Sequence, residues 1–184
     1  HASRPRQRLT AHQGHSMTTP IPFIDLPAQR RRLGTALDEA VARVMEHCGF
    51  ILGRECEALE EALRAFTGAR YALGVASGTD ALALVLMAKG VRPGDAILVP
   101  AFTFAATAEV VAWLGATPIF CDVEEDTFGL SPVSLERGIE TARALKLRPV
   151  GVIVVALYGR PADYDRIEPI CAREDLWLLS DAAQ

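Results

Sequence analysis

The sequence is poor in the motifs that many nucleotide- and metal-dependent proteins use. No G-x-G-x-x-G follows an apolar run, and no G-x-x-x-x-G-K-[ST] occurs anywhere. That argues against a nicotinamide- or ATP-binding loop. The four cysteines, Cys48, Cys56, Cys121 and Cys171, form no C-x-x-C pair and have no histidine at ligand spacing. They read as reduced thiols of a cytoplasmic protein, so neither a metal site nor a disulfide framework is expected. One histidine, His47, follows Met17, so a Ser-His-Asp triad would have a single possible base. Its place near the polar end of a helix favours a surface or hydrogen-bonded role instead. There are two lysines, Lys89 and Lys146. No apolar run approaches the ~20 residues of a membrane-spanning helix. With 19 basic and 23 acidic residues, the net charge of −4 gives no basic excess for nucleic acid.

The first sixteen residues, HASRPRQRLTAHQGHS, have no acid and carry Arg4, Arg6 and Arg8. Without those three arginines, 16 basic residues face 23 acidic ones. Residues 1–16 are expected to be a non-native or disordered leader, with Met17 as the true start. A transit peptide is the alternative reading. Residues 17–184 are expected to be one piece of a larger α/β domain.

What is present is regular. Leu33, Leu37, Val41, Val44 and Cys48 recur at helical spacing, so Pro27 to His47 is expected as one amphipathic helix. Glu55 to Phe66 is a second, with Gly68 just past its end. Five short apolar runs then read as strands: Tyr71–Ala76, Ala96–Ala101, Thr117–Val123, Pro149–Leu157 and Leu176–Asp181. Helical stretches at Asp80–Lys89, Phe104–Leu114, Pro132–Leu145 and Pro161–Arg173 separate them. Alternating strands and helices with continuously apolar strands imply a mostly parallel sheet in a three-layer α/β/α arrangement. Ligands of such sheets gather at the carboxyl ends of the strands.

Three strand ends carry chemistry. Ser77-Gly78-Thr79-Asp80 opens a helix with a glycine, two hydroxyls and unpaired amides, a cup suited to a phosphate. The same residues fit a capping box. Phe102 and Phe104 follow the second expected strand; either could stack on a planar ring, or both could be core. Asp181 closes the last run. A carboxylate there needs donors or a cation, and a protonated pyridine nitrogen would serve. The alternative is an N-cap for a following element. A phosphate cup, an aromatic plate and a carboxylate at neighbouring strand ends describe a site for pyridoxal 5'-phosphate (PLP).

Over Pro22 to Gln184, the stretches FIDLPAQ, ILGRECEALE, ASGTDAL, VPAFTFAATAEVVAWLGATPIFCDVEEDTF, LYGRPADYD and DAAQ resemble the DegT/DnrJ/StrS family of PLP-dependent nucleotide-sugar aminotransferases. The resemblance implies the aspartate aminotransferase-like large domain (fold type I), here incomplete. It implies that Thr79 and the backbone around Gly78 and Asp80 hold the cofactor phosphate, and that Phe104 stacks on its ring. Asp181 would bond the pyridine nitrogen, and Gln184 would face the ring's 3'-oxygen side. It further implies L-glutamate as amino donor, a nucleotide-linked keto-sugar as acceptor, a role in polysaccharide biosynthesis, and a cytoplasmic homodimer. FTF, LYGRPAD and DAAQ are most similar to members that aminate a UDP-linked 3-keto sugar acid. A PLP-dependent keto-sugar dehydratase of the same family, or a non-catalytic PLP- or nucleotide-sugar-binding remnant, are the alternatives. The family's lysine, which holds the cofactor covalently, would follow DAAQ. The chain is therefore expected to be the N-terminal part of such an enzyme, inactive alone, with the Tyr71–Ala76 strand lacking its neighbours.

Overall fold

The computed structural model describes residues 23–184; the expected leader lies outside the described residues. The chain falls into two compact units, one ending at Thr67 and one running from Gly68 to Gln184.

The first unit is helical: α1 (Leu26–Leu33), α2 (Ala36–His47) and α3 (Arg54–Thr67). The Asp25 side chain caps α1 by accepting from the Ala28 amide at 2.9 Å, with Pro27 in the first turn. The single helix expected over Pro27–His47 is in fact two. Gly34, at φ 60° and ψ −133°, turns the chain out of α1. The apolar period runs through this break, so periodicity alone hid it. Helix α2 ends at Cys48 in the left-handed region. His47 has the satisfied role foreseen for it. Its Nδ1 accepts from the Gly49 amide at 3.0 Å, and its Nε2 lies 3.0 Å from Glu55 Oε1 in α3.

The second unit opens with an irregular segment and α4 (Gly78–Ala88). It continues β1 (Asp95–Pro100), α5 (Ala106–Trp113), β2 (Thr117–Cys121), α6 (Pro132–Ala144), β3 (Arg148–Val155), α7 (Tyr164–Arg173) and β4 (Trp177–Asp181). The four strands form one parallel sheet in the order β2-β1-β3-β4. Residues 71–76, expected as a strand, are not in it; Tyr71 and Leu73 are exposed. An apolar β-run becomes a strand only where a neighbouring strand supplies a ladder, and among the described residues this one joins no sheet.

The period-2 alternation of each central strand builds two cores. Ala96 and Leu98 of β1 join Val152 and Val154 of β3 beneath Leu135, Ile139 and Ile167 of α6 and α7. On the opposite face, Ile97, Val99 and Ile153 pack with Leu82, Leu86, Val110 and Val111 of α4 and α5. Helices thus cover both faces, as apolar parallel strands require. At the amino edge Asp95, 3% exposed, starts β1 and meets Arg148 of β3 at 2.7 and 2.8 Å. The Arg92 amide bonds its other oxygen at 3.0 Å. Paired and hydrogen-bonded in this way, the acid is tolerated inside.

The connections that leave the two central strands run in opposite directions: α5 leads from β1 to β2 on one side, and α7 leads from β3 to β4 on the other. The crevice at the carboxyl ends of β1 and β3 is therefore a topological switch point.

Candidate active site

A cavity of about 340 Å³ lies at that crevice, the size of a small-ligand pocket. Gly78 and Thr79 line it from the start of α4, and Thr103 and Phe104 from the loop after β1. Val155 and Leu157 contribute from the end of β3, and Asp181 and Gln184 from the end of β4. Register brings the last two strands level, because Val155 pairs with Asp181 and the Ala156 amide donates to the Asp181 carbonyl at 2.9 Å. Five of the six expected site residues line this one cavity.

Asp80 is not among the lining residues. Its amide donates to Ser77 Oγ at 3.1 Å, and the Ser77 hydroxyl donates to its carboxylate at 2.9 Å. The cap and the anion cup coexist: the Ser77 side chain takes the Asp80 amide, and the Ala81 amide makes the first helical bond to the Ser77 carbonyl. The Gly78 and Thr79 amides, at the first two helical positions, have no acceptor within the helix. Gly78 and Thr79 themselves line the cavity. The helix N-terminus adds a positive potential there.

Phe104 is 74% exposed and presents its ring to the cavity. Phe102 is also exposed and turns instead to Phe128, with ring centroids 5.8 Å apart. Neither ring is core. Asp181 is half-buried. Its Oδ1 accepts from the Ala183 amide at 3.1 Å, a local turn rather than a helix cap. Among the described residues no cation pairs with it. Gln184 Oε1 accepts from the Tyr158 amide, which fixes the side chain against the β3 loop and leaves its NH₂ group as a donor.

These features fit a planar, phosphorylated, cationic heterocycle. The phosphate has two amides and a hydroxyl, the ring has an exposed aromatic face, and a ring N–H has a carboxylate oxygen. Sequence reasoning missed Thr103, Val155 and Leu157. Thr103 sits between the two phenylalanines of FTF, so its strand-end position was the available signal.

The two lysines stand elsewhere. Lys89 caps the carboxyl end of α4, whose other end faces the cavity. Eleven helical residues place it about 16 Å away along the axis. Lys146 precedes β3, whose eight residues separate it from Val155 by about 25 Å.

The chain is 43% identical, over 164 residues, to the UDP-2-acetamido-2-deoxy-3-oxo-D-glucuronate aminotransferase of Pseudomonas aeruginosa. That alignment covers 89% of this chain and 44% of the relative, so the chain spans less than half of that protein's length. A crystal structure of a DegT DnrJ EryC1 StrS aminotransferase from Brucella abortus superposes with a TM-score of 0.87 at 43% identity. It covers 90% of this chain and 44% of that one. The NtdA structure from Bacillus subtilis, with bound cofactor PMP, superposes with a TM-score of 0.77 at 29% identity, covering 94% and 38%. The fold is accordingly part of a PLP-dependent aminotransferase large domain, as the sequence motifs imply. With residues 32–184 matching its description, the chain belongs to the DegT/DnrJ/EryC1/StrS aminotransferase family, whose aminotransferases depend on PLP.

Proposed function

We propose that this chain forms the PLP-holding face of a nucleotide-sugar aminotransferase, which transfers an amino group from L-glutamate to a UDP-linked keto-sugar. The observation that carries the reading is the convergence of Gly78, Thr79, Phe104, Asp181 and Gln184 on one cavity at the switch point. When bound, PLP supplies an electron sink for the carbon that loses or gains the amine. The chain's own residues bind and orient it. The Gly78 and Thr79 amides and the Thr79 hydroxyl hold the phosphate, and Phe104 covers one ring face. The Asp181 carboxylate keeps the ring nitrogen protonated, and the Gln184 amide donates on the 3'-oxygen side. Asp80 keeps the helix start rigid.

Neither Lys89 nor Lys146 reaches the cavity, so the covalent anchor is assigned to neither. With PLP and L-glutamate, these 184 residues alone should release no 2-oxoglutarate; turnover would overturn this placement of the lysines. The relatives' names favour amination over the dehydratase alternative. A cytoplasmic homodimer belongs to the same reading. Free cysteines support the compartment.

The binding test uses pyridoxamine 5'-phosphate, which cannot condense with lysine amines, in equilibrium dialysis. Saturable binding weakened by Phe104→Leu and by Thr79→Val is expected. Binding indifferent to both changes would refute the site.

A further inference from the structure

The buried stripe of α5 contains one polar residue. Thr107, Val110, Val111 and Leu114 recur at i, i+3, i+4 and i+7, the spacing of a helix face turned to the core. Val110 and Val111 are wholly buried in the same core as Ile97, Val99 and Ile153. Thr107 is 1% exposed. A valine would fill that volume with no hydroxyl to desolvate.

Among the described residues, Asp95 and Thr107 are the buried polar side chains. Asp95 is met by Arg148 and by the Arg92 amide. Thr107 makes one side-chain bond, to the Thr103 hydroxyl, with 3.4 Å between the oxygens. That is long for two hydroxyls, so the group adds little to stability. A buried polar group of this kind calls for another reason.

The reason lies in what Thr107 is tied to. Residues 101–105 link β1 to α5. Ala105, at the cap position, makes no side-chain bond to the start of the helix. Thr107 reaches back over it instead. Its hydroxyl meets Thr103, and its amide donates to the Phe104 carbonyl at 3.1 Å. The chain is therefore held by one residue on both sides of the Phe104 Cα. Thr103 and Phe104 line the cavity, whereas Thr107 is not among its lining residues.

We propose that Thr107 is a positioning residue for the cofactor: from inside the core it fixes the loop that carries Phe104, and so sets the plane of that ring. This role rests on the proposed function, in which Phe104 covers one face of the cofactor. A stacking ring contributes most when it is already held in the bound orientation, because ordering a loop on binding offsets part of the contact. The main-chain bond to the Phe104 carbonyl survives a change of side chain. The hydroxyl is the part that a variant removes.

Thr107→Val removes the hydroxyl and keeps the volume, whereas Thr107→Ser keeps the hydroxyl. Equilibrium dialysis measures pyridoxamine 5'-phosphate affinity for both variants, for Phe104→Leu, and for Thr107→Val combined with Phe104→Leu. Positioning predicts roughly three- to tenfold weaker binding in Thr107→Val, most of it recovered in Thr107→Ser. It also predicts that Thr107→Val weakens binding no further once Phe104 is leucine, since the two changes then act on one contact. Undiminished affinity in Thr107→Val overturns the role. So does an equal loss in both backgrounds, the signature of a general effect on the fold, or a loss that Thr107→Ser fails to recover. Phe104→Leu binding as tightly as the unchanged chain would instead refute the cofactor reading itself, a result distinct from the failure of Thr107 alone.

Discussion

The ring of Trp177 lies directly over the Cα of Gly151, its register partner across the β3–β4 pair. A Cβ built on Gly151 would sit 2.3 Å from three atoms of the indole. No side chain fits that space, so glycine sets the depth at which the indole covers the sheet.

Gly151→Ala should therefore destabilise the second unit by about 1–3 kcal/mol, the usual cost of overpacking. Denaturant unfolding followed by tryptophan fluorescence measures it. The double change Gly151→Ala with Trp177→Leu should recover part of the loss. An unchanged midpoint in the single variant would mean that the indole swings away freely.

Asp181→Asn keeps the shape of the cavity wall and removes the charge. A charge-assisted hydrogen bond contributes about 1.5–3 kcal/mol. Affinity for pyridoxamine 5'-phosphate should fall roughly ten- to hundredfold, as read by equilibrium dialysis. Full retention would show that the carboxylate does not contact the ring nitrogen.

Glu174 joins α6 and α7. It accepts from Arg143 at 2.7 Å and from Arg173 at 3.0 Å, and Arg173 also reaches Glu136 at 2.7 Å. Bonds from Arg143, then Arg173, hold the Glu174 carboxyl below its ordinary value of 4.5. A depressed folded-state value stabilises the fold above the unfolded value, and that stabilisation disappears as pH falls through the folded one. The midpoint of urea unfolding should drop as pH falls below 4.5, and Glu174→Gln should flatten part of that slope. An identical slope in the variant would assign the acid sensitivity to other groups.

The thiols should react in two classes. Cys48 and Cys56 are exposed, whereas Cys121 and Cys171 are buried. Burial pushes the Cys121 thiol up to about 12 and raises that of Cys171. At pH about 8, two thiols should react with a chromogenic disulfide rapidly and two only after unfolding. Four equally fast thiols would contradict the packing of β2 against α6.

Several features were legible because they are local. The alternation of apolar runs with helical stretches gave β1 to β4 and α4 to α7 within a few residues. Ser77 announced the start of α4. The family motifs named Gly78, Thr79, Phe104, Asp181 and Gln184, which line one cavity, and also Asp80, which does not. Other features were hidden because they depend on distant neighbours. Residues 71–76 have strand composition but join no ladder. Gly34 breaks an unbroken apolar period. Phe102 and Phe104, both ordinary core residues by type, face outward in different directions.

The sequence by itself determined which segments could be buried strands and which residues could bind a phosphate or a cationic ring, since periodicity and side-chain chemistry are properties of the chain. Only the tertiary structure decided that these residues share a cavity. Strand order and register place Val155 level with Asp181, and the opposite connections out of β1 and β3 open the crevice that the start of α4 faces. Those are long-range pairings, fixed when two cores close on both faces of the sheet, and no window of local sequence contains them.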